Sequence, residues 1–191
     1  NHQGKSVISI RGTTLKGESW LANLYAAMVP AKGSIRITSD YQFNYELAND
    51  PKAAVHVGWL ISTAFLVRDM LPKIDSSYRN GTRDYLIMGH SQGGAIAYLL
   101  TAHFHELQRK KVLPADIRFK TYCSAGPGPG NLYFAYEYEA MTMGGWAFNV
   151  VNSADWVPEV PMSIQTLNDF NYTSPFKVAK SLIKQQKFPR N

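Results

Sequence analysis

The sequence has little of what marks several specialised classes of protein. Its 191 residues include one cysteine, Cys123, which excludes an internal disulfide framework and a zinc site built on cysteines. No run of apolar residues approaches the ~20 that a membrane-spanning helix needs. Charged residues make up only 18% and apolar residues 45% of the chain, which indicates a globular fold and excludes disorder. The length predicts a single domain over residues 1–191.

Positive charge is also scarce outside the last residues. Segment 177–191 holds five Lys or Arg and no acid, so it carries +5 of the net charge of +6, and the rest of the chain carries only +1. A basic tail on a nearly neutral body differs from the continuous basic surface that nucleic acid requires. We therefore interpret 177–191 as a solvated tail, with a role at a membrane surface or on a polyanion as the alternative, and predict no nucleic-acid partner. Nothing in the sequence identifies a specific protein partner.

Strand and helix patterns alternate along the chain. Short β-rich runs occupy residues 7–10, 34–38, 85–88, 118–123 and 148–151. Apolar residues have helical spacing over 58–74, where Pro72 lies near the predicted end, and over 92–111. The run at 85–88 is continuously apolar, which is typical of a strand buried on both faces of a parallel sheet. The order predicts an α/β domain, a mostly parallel sheet with helices on both faces.

The strongest local signal is Gly89-His90-Ser91-Gln92-Gly93, which lies between a predicted strand and a predicted helix. This G-x-S-x-G pattern is typical of a nucleophile elbow. The turn from strand to helix is so tight that the serine must adopt a strained backbone and the flanking glycines have no room for side chains. The context predicts that Ser91 is a catalytic nucleophile, and the alternative is a tight structural turn.

A nucleophilic serine needs a base, and the base needs a carboxylate to orient it. With an elbow of this kind the chain order is serine, then acid, then histidine. Asp155 directly follows the strand at 148–151, which places it at the carboxyl edge of the sheet. Asp116 precedes its strand, and Glu137 and Glu139 lie in a segment that we predict to be irregular. We therefore predict Asp155 as the orienting carboxylate.

Acyl transfer also needs two N–H donors for the oxyanion. The first is the N–H of Gln92, the residue after the nucleophile. The second would come from the loop after the first strand, Arg11-Gly12-Thr13, through the N–H of Thr13. By itself the Arg-Gly-Thr sequence equally fits an ordinary turn. This chemistry implies no metal and no organic cofactor.

Six segments, in order along the chain, together carry a family resemblance. They are ISIRGT at 8–13, SWLANL at 19–24, VHVGW at 55–59, GHSQGGA at 89–95, PGPGN at 127–131 and VNSADWVP at 151–158. With these the sequence resembles the class 3 lipases, the fungal-lipase-like branch of the α/β hydrolases. The resemblance covers about residues 6–161, and its most specific parts are the elbow and the Asp155 segment.

The resemblance implies an α/β-hydrolase fold and a serine carboxylic ester hydrolase, a lipase or esterase of the Ser-His-Asp type. The implied substrate is a lipid-like acyl ester, with transient contact to a lipid surface. The compartment stays open, although the resemblance favours a secreted or periplasmic protein. Segment 14–20 is short for a lid, which favours an esterase. The aromatic residues clustered over 133–148 either line an acyl pocket or belong to the core, the interpretation that we favour.

The chain departs from the family pattern at two places. Gln92 replaces the usual Leu, which leaves its N–H available but alters the wall of the pocket. No histidine follows Asp155, since the five histidines are His2, His56, His90, His103 and His105. None of these is a convincing base, because His90 should point away from Ser91 and the helix histidines fit packing roles. We therefore expect the base outside these residues, and the alternative function is a catalytically inactive, lipase-like binding scaffold.

Overall fold

The computed structural model describes residues 4–14 and 17–160, so the basic tail at 177–191 lies outside the described residues. The elements are β1 (Lys5–Ile10), α1 (Gly17–Leu24), β2 (Met28–Pro30), β3 (Lys32–Arg36), β4 (Gln42–Glu46), β5 (Ala54–His56), α2 (Val57–Arg79), β6 (Asp84–His90), α3 (Gln92–Arg109), β7 (Arg118–Ser124), α4 (Leu132–Met141), β8 (Ala147–Val150) and a short 3-10 turn (Val157–Glu159). Each of the five predicted strands is present. None of the described helices is long and apolar enough to cross a membrane.

The central sheet has the strand order β1-β6-β7-β8, and every neighbouring pair in it is parallel. The register pairs Ile8 with Ile87, Ile87 with Thr121, and Tyr122 with Phe148. Two antiparallel pairs, β2 with β5 and β3 with β4, lie outside this sheet. Because the four central strands run the same way, the loops after β1, β6, β7 and β8 leave the sheet at one edge.

Helix α3 packs on one face of the central sheet. The thiol of Cys123 donates to the carbonyl of Gly94 at 3.4 Å, and the hydroxyls of Thr101 and Thr121 are 2.7 Å apart. Side chains on the opposite face are exposed in the described part of the chain: Val7 62%, Met88 41%, Phe148 42% and Val150 58%. The predicted α/β architecture, a parallel central sheet with helices, is confirmed.

Helix α2 is longer than the apolar spacing predicted. It runs from Val57 to Arg79 with Pro72 inside it, so the predicted end near Pro72 is wrong. Proline removes one helical hydrogen bond, and tertiary contacts offset that loss. Beyond the proline, Ile74 is buried at 3% exposure and its carbonyl accepts a hydrogen bond from the Tyr85 hydroxyl at 3.3 Å. Packing against β6 therefore holds the last turns of the helix.

The segment that we predicted to be irregular is helix α4. Asn131 caps it, because its side-chain oxygen accepts from the N–H of Phe134 at 3.2 Å. The same oxygen accepts from the N–H of Ala54 at 3.1 Å, and the Asn131 amide group donates to the Lys52 carbonyl at 2.7 Å. Asn131 therefore starts the helix and fixes it to β5, which gives a physical reason for the Gly-Asn pair in the sequence.

The aromatic cluster divides between core and surface. Phe134 and Tyr138 are buried in the core at 2% and 6% exposure, as favoured by our interpretation. The remaining members, Tyr133, Tyr136, Trp146 and Phe148, are exposed to between 39% and 60%. A cavity of about 670 Å³ lies between α3, α4 and β8, and its wall includes Phe134, Tyr138 and Phe148.

Candidate active site

Ser91 lies at the turn between β6 and α3 with φ 55° and ψ −127°. A positive φ is uncommon for a residue with a side chain and costs on the order of 1–3 kcal/mol, so the surrounding structure must impose it. The Ser91 N–H donates to the Ser124 carbonyl at 2.9 Å, and its own carbonyl accepts from the N–H of Gly94 at 2.8 Å. The predicted backbone strain at this serine is confirmed.

The glycines around Ser91 allow three segments to meet closely. A Cβ added at Gly89 would overlap the carbonyl of Gly93 in the first turn of α3. A Cβ added at Gly93 would lie 2.9 Å from the carbonyl oxygen of Arg11, in the loop after β1. The elbow is therefore pressed against the loop that we predicted to supply the second oxyanion donor.

The loop 11–14 lies beside Ser91. A Cβ added at Gly12 would be 3.7 Å from the Cβ of Ser91, so the two segments are in direct contact. The hydroxyl oxygen of Thr13 accepts from the Asn23 amide at 3.0 Å, which leaves the hydroxyl proton available for a further contact. The structure thus brings Thr13, Ser91 and Gln92 to one edge of the sheet.

The side chain of Gln92 has a partner that the sequence did not reveal. Its Oε1 accepts from the Ser19 hydroxyl at 2.8 Å, and its Nε2 donates to the Ser19 carbonyl at 2.9 Å. A shallow cavity of about 320 Å³ lies here, and its wall includes Gly12, Ser19 and Gln92. Gln92 therefore does line a pocket wall, and it also joins the elbow to α1.

Asp155 follows β8 and lies at the same sheet edge as the elbow. It is partly buried, and its carboxylate accepts from the N–H of Val157 at 3.0 Å. No hydrogen bond is found between the Asp155 carboxylate and the Ser91 hydroxyl, both of which lie in the described range 17–160. The orienting role of Asp155, with an imidazole between these two groups, stays a prediction.

The competing acids lie elsewhere in the described part of the chain. Asp116 binds Arg83 at 2.8 Å near the start of β7, which is the opposite edge of the sheet. The Glu137 carboxylate accepts from the backbone N–H of Asn49 at 2.8 Å. Burial at 1% exposure raises the pKa of Glu106, which forms an ion pair with Lys110. Asp155 is thus the best-placed carboxylate among these.

The described histidines have structural partners. His90 Nδ1 lies 3.0 Å from the Ser124 hydroxyl on the exposed side of β6. His56 is fully buried, caps α2 by accepting from the Trp59 N–H at 3.4 Å, and stacks on the Trp59 ring at 3.8 Å. Burial lowers the pKa of His56, so its ring is neutral near pH 7. For His56 these contacts indicate a structural role.

His103 and His105 point into packed surroundings on α3. The His103 ring lies 4.9 Å from the Phe43 ring and is only 3% exposed. The His105 ring meets Phe119 edge-on at 6.2 Å. Burial lowers the pKa of both imidazoles. Neither ring is therefore available as a base at the elbow.

Unfolding at different pH values tests the buried state of His103. Burial lowers the pKa of this imidazole to about 4, with a smaller contribution from the charge of Lys110. The folded pKa lies below the unfolded value, so the unfolded chain takes up the proton first as the pH falls from 6.5 towards 4. We expect the free energy of unfolding to drop by about 3 kcal/mol across that window through this residue.

The variant His103→Leu should remove most of this contribution, because leucine fills the site without titrating. Urea unfolding between pH 4 and 7 measures the change, with a residual slope expected from His56 and His105. An unchanged slope in His103→Leu would show that this imidazole does not titrate as a buried group.

The described residues include no group of three or more His, Cys, Asp or Glu side chains placed to hold a metal ion. A four-stranded parallel sheet with a strained serine at a strand–helix turn is the arrangement of an α/β hydrolase. The family model for lipase (class 3) matches residues 7–164, so the chain belongs to the class 3 lipase family.

Solved structures of fungal lipases are similar to this chain. The lipase from Rhizopus microsporus var. chinensis is 26% identical with a TM-score of 0.59, over 84% of this chain and 49% of that one. Lipase II from Rhizopus niveus is 31% identical with a TM-score of 0.51, over 66% of this chain and 44% of that one. The Rhizomucor miehei lipase with its propeptide, 23% identical with a TM-score of 0.59, shares the fold. This chain thus spans about half the length of these lipases. A comparison with curated proteins found no match.

Sequence reasoning missed Ser19 and Asn23 as parts of this site. Both lie on α1, where Asn23 accepts from the Trp59 indole N–H at 3.0 Å and donates to Thr13. The sequence signal for α1 is weak, because the helix has only eight residues and Ser19 and Asn23 contact residues far along the chain. The only hint was that 19–24 takes part in the family resemblance.

Proposed function

We propose that this protein is a serine carboxylic ester hydrolase, a lipase or esterase acting on lipid-like acyl esters. The observation that carries the proposal is Ser91 at φ 55° on a strand–helix turn, with the Gly12–Thr13 loop in contact with it. Strain of this kind is costly, and in this fold it lifts the serine hydroxyl clear of the sheet edge. Membership in the class 3 lipase family supports the same chemistry.

In the proposed reaction, Ser91 attacks the ester carbonyl and loses its proton to a histidine. The tetrahedral oxyanion is held by the N–H groups of Gln92 and Thr13. The histidine then gives its proton to the departing alcohol, which leaves an acyl group on Ser91 for water to remove. Asp155 would orient the imidazole and stabilise its charged form.

We infer that the histidine lies outside residues 1–191. Asp155 has no histidine after it in this sequence. His56 and His103 are buried, and His90 contacts Ser124. This chain covers only 49% and 44% of two similar fungal lipases, which leaves room for the histidine in a longer protein.

Helix α1 supports contact with a lipid surface. Leu21 and Leu24 are exposed at 66% and 74%, and Tyr25, just after the helix, is exposed at 60%. Their spacing of three and four residues places them on one side of the helix. The same helix contacts Gln92 and the Thr13 loop, so this apolar surface adjoins the proposed site. A transient lipid contact here would bring the ester to Ser91.

The double variant Leu21→Ser with Leu24→Ser tests this lipid contact. Removing two exposed leucines lowers the gain from burial in an apolar phase, so activity on an emulsified long-chain ester should fall at least about tenfold. Activity on a soluble short-chain ester should stay within about twofold. Val112→Ser, at a residue exposed at 61% beyond α3, is the matched control. Equal losses on both substrates would contradict a lipid-contact role.

The second candidate is a lipase-like scaffold that binds without catalysis, and it is favoured by the absence of a histidine after Asp155. A chain-length series of nitrophenyl esters separates the two. The full-length protein should hydrolyse these esters, and residues 1–191 alone should be far slower, because an unassisted serine hydroxyl is barely ionised at neutral pH. Inert full-length protein would favour the scaffold. Full activity of residues 1–191 would mean that an upstream histidine serves as the base.

A further inference from the structure

The side chain of Gln92 makes a double contact with a single residue. It is 5% exposed, and both of its polar atoms bond to Ser19 on α1, at 2.8 Å to the hydroxyl and 2.9 Å to the carbonyl. A buried amide with both ends satisfied is held in one rotamer. The contact therefore fixes the first turn of α3 relative to α1.

Ser19 passes this constraint to the loop after β1. Its hydroxyl donates to Gln92 and accepts from the N–H of Thr14 at 3.0 Å. The next residue back along the chain is Thr13, whose hydroxyl is held by Asn23 at 3.0 Å. Ser19 and Asn23 of α1 thus bind Thr14 and Thr13, two consecutive residues of the loop. Gln92, the residue after Ser91, binds Ser19 and so links α1 to the elbow.

We propose that the Gln92 side chain is a positioning residue, which sets the direction of the Thr13 N–H through Ser19 and Thr14. This inference rests on the proposed function, because it concerns the second oxyanion donor of that reaction. Oxyanion donors are effective only when they are fixed before charge develops. The backbone N–H of Gln92 would supply one donor while its side chain fixes the other.

The leucine that the family usually carries after the serine could make neither hydrogen bond. Gln92→Leu therefore removes both hydrogen bonds but keeps the backbone N–H. Leucine is also the residue that the family usually carries at this position. Ser19→Ala removes the same link from the other side. The control is Gln108→Leu, because Gln108 on the same helix also makes two hydrogen bonds, to the carbonyls of Pro114 at 3.0 Å and Ile117 at 2.7 Å.

The first measurement is hydrogen exchange of the Thr14 amide by NMR in the chain of residues 1–191. We expect exchange about tenfold faster in Gln92→Leu and in Ser19→Ala, since each loses hydrogen bonds worth about 1 kcal/mol or more. In the double variant the Thr14 amide should exchange no faster than in either single variant, because all three variants break the same link between Gln92 and Ser19. Gln108→Leu should leave the Thr14 amide unchanged.

The second measurement is steady-state hydrolysis of a soluble short-chain ester by the full-length protein. Gln92→Leu should lower kcat about tenfold and change KM by less than about twofold, because the donor acts mainly on the transition state. Gln108→Leu should change neither constant.

The outcomes separate the two claims. Unchanged Thr14 exchange in Gln92→Leu, or faster exchange with unchanged kcat, would overturn the positioning role. Faster exchange in the Gln92→Leu chain of residues 1–191, together with a full-length protein that hydrolyses no ester even with Gln92 intact, would overturn the proposed function instead. Faster exchange together with reduced kcat supports the inference.

Discussion

Ser91→Ala in the full-length protein is expected to reduce ester hydrolysis to the background rate. The change removes the hydroxyl that is proposed to form the acyl intermediate and leaves the proposed oxyanion donors in place. Loss of the nucleophile in a serine hydrolase lowers kcat on the order of 10⁶-fold, with residual catalysis from the oxyanion hole and binding. Release of nitrophenol from a short-chain ester measures the change.

The control for this variant is Ser34→Ala, at an exposed serine on β3 whose hydroxyl bonds to Gln42. It should hydrolyse the ester at the parent rate. Circular dichroism of both variants should match the parent, because alanine at position 91 adds no atom to the turn. Hydrolysis by Ser91→Ala within tenfold of the parent would mean that another group is the nucleophile.

Asp155→Asn is expected to be the second most damaging change, with kcat reduced on the order of 10⁴-fold. The amide keeps the shape of the side chain but cannot hold the imidazole in the required tautomer or stabilise its charged form. The loss should be smaller than in Ser91→Ala, because the nucleophile is still present. Comparison of the two variants on one ester gives the ranking.

Asp116→Asn is the matched control, because Asp116 pairs with Arg83 near the opposite edge of the sheet. An exposed ion pair of this kind contributes little, so the variant should keep near-parent kcat and near-parent stability. Equal activity losses in Asp116→Asn and Asp155→Asn would remove the reason for assigning Asp155 to the orienting role.

The elbow was predictable because its requirements are local. An apolar strand, two glycines and an amphipathic helix all lie within residues 85–111. The position of Asp155 was predictable from the strand topology, since the carboxyl ends of parallel strands meet at one edge of the sheet. The geometry at Ser91 agrees with this local pattern, with φ at 55°.

The role of the Gln92 side chain was not predictable, because its partner lies 73 residues away in the sequence. The sequence indicated that Gln92 departs from the family pattern but not which group it would contact. Helix α4 was missed for a similar reason. Its aromatic residues do not form a stripe of helical period, and its cap, Asn131, is also fixed by contacts to Lys52 and Ala54. Contacts between distant segments decide both features.

The catalytic assignment is tested most directly by mapping where a fluorophosphonate reacts. The full-length protein is treated with the probe, digested, and the modified peptide is sequenced by mass spectrometry. We predict a single adduct on the Ser91 side chain, absent from Ser91→Ala and slowed in Asp155→Asn. An adduct on a different serine, or no adduct on a correctly folded full-length protein, would contradict the assignment of Ser91 as the nucleophile.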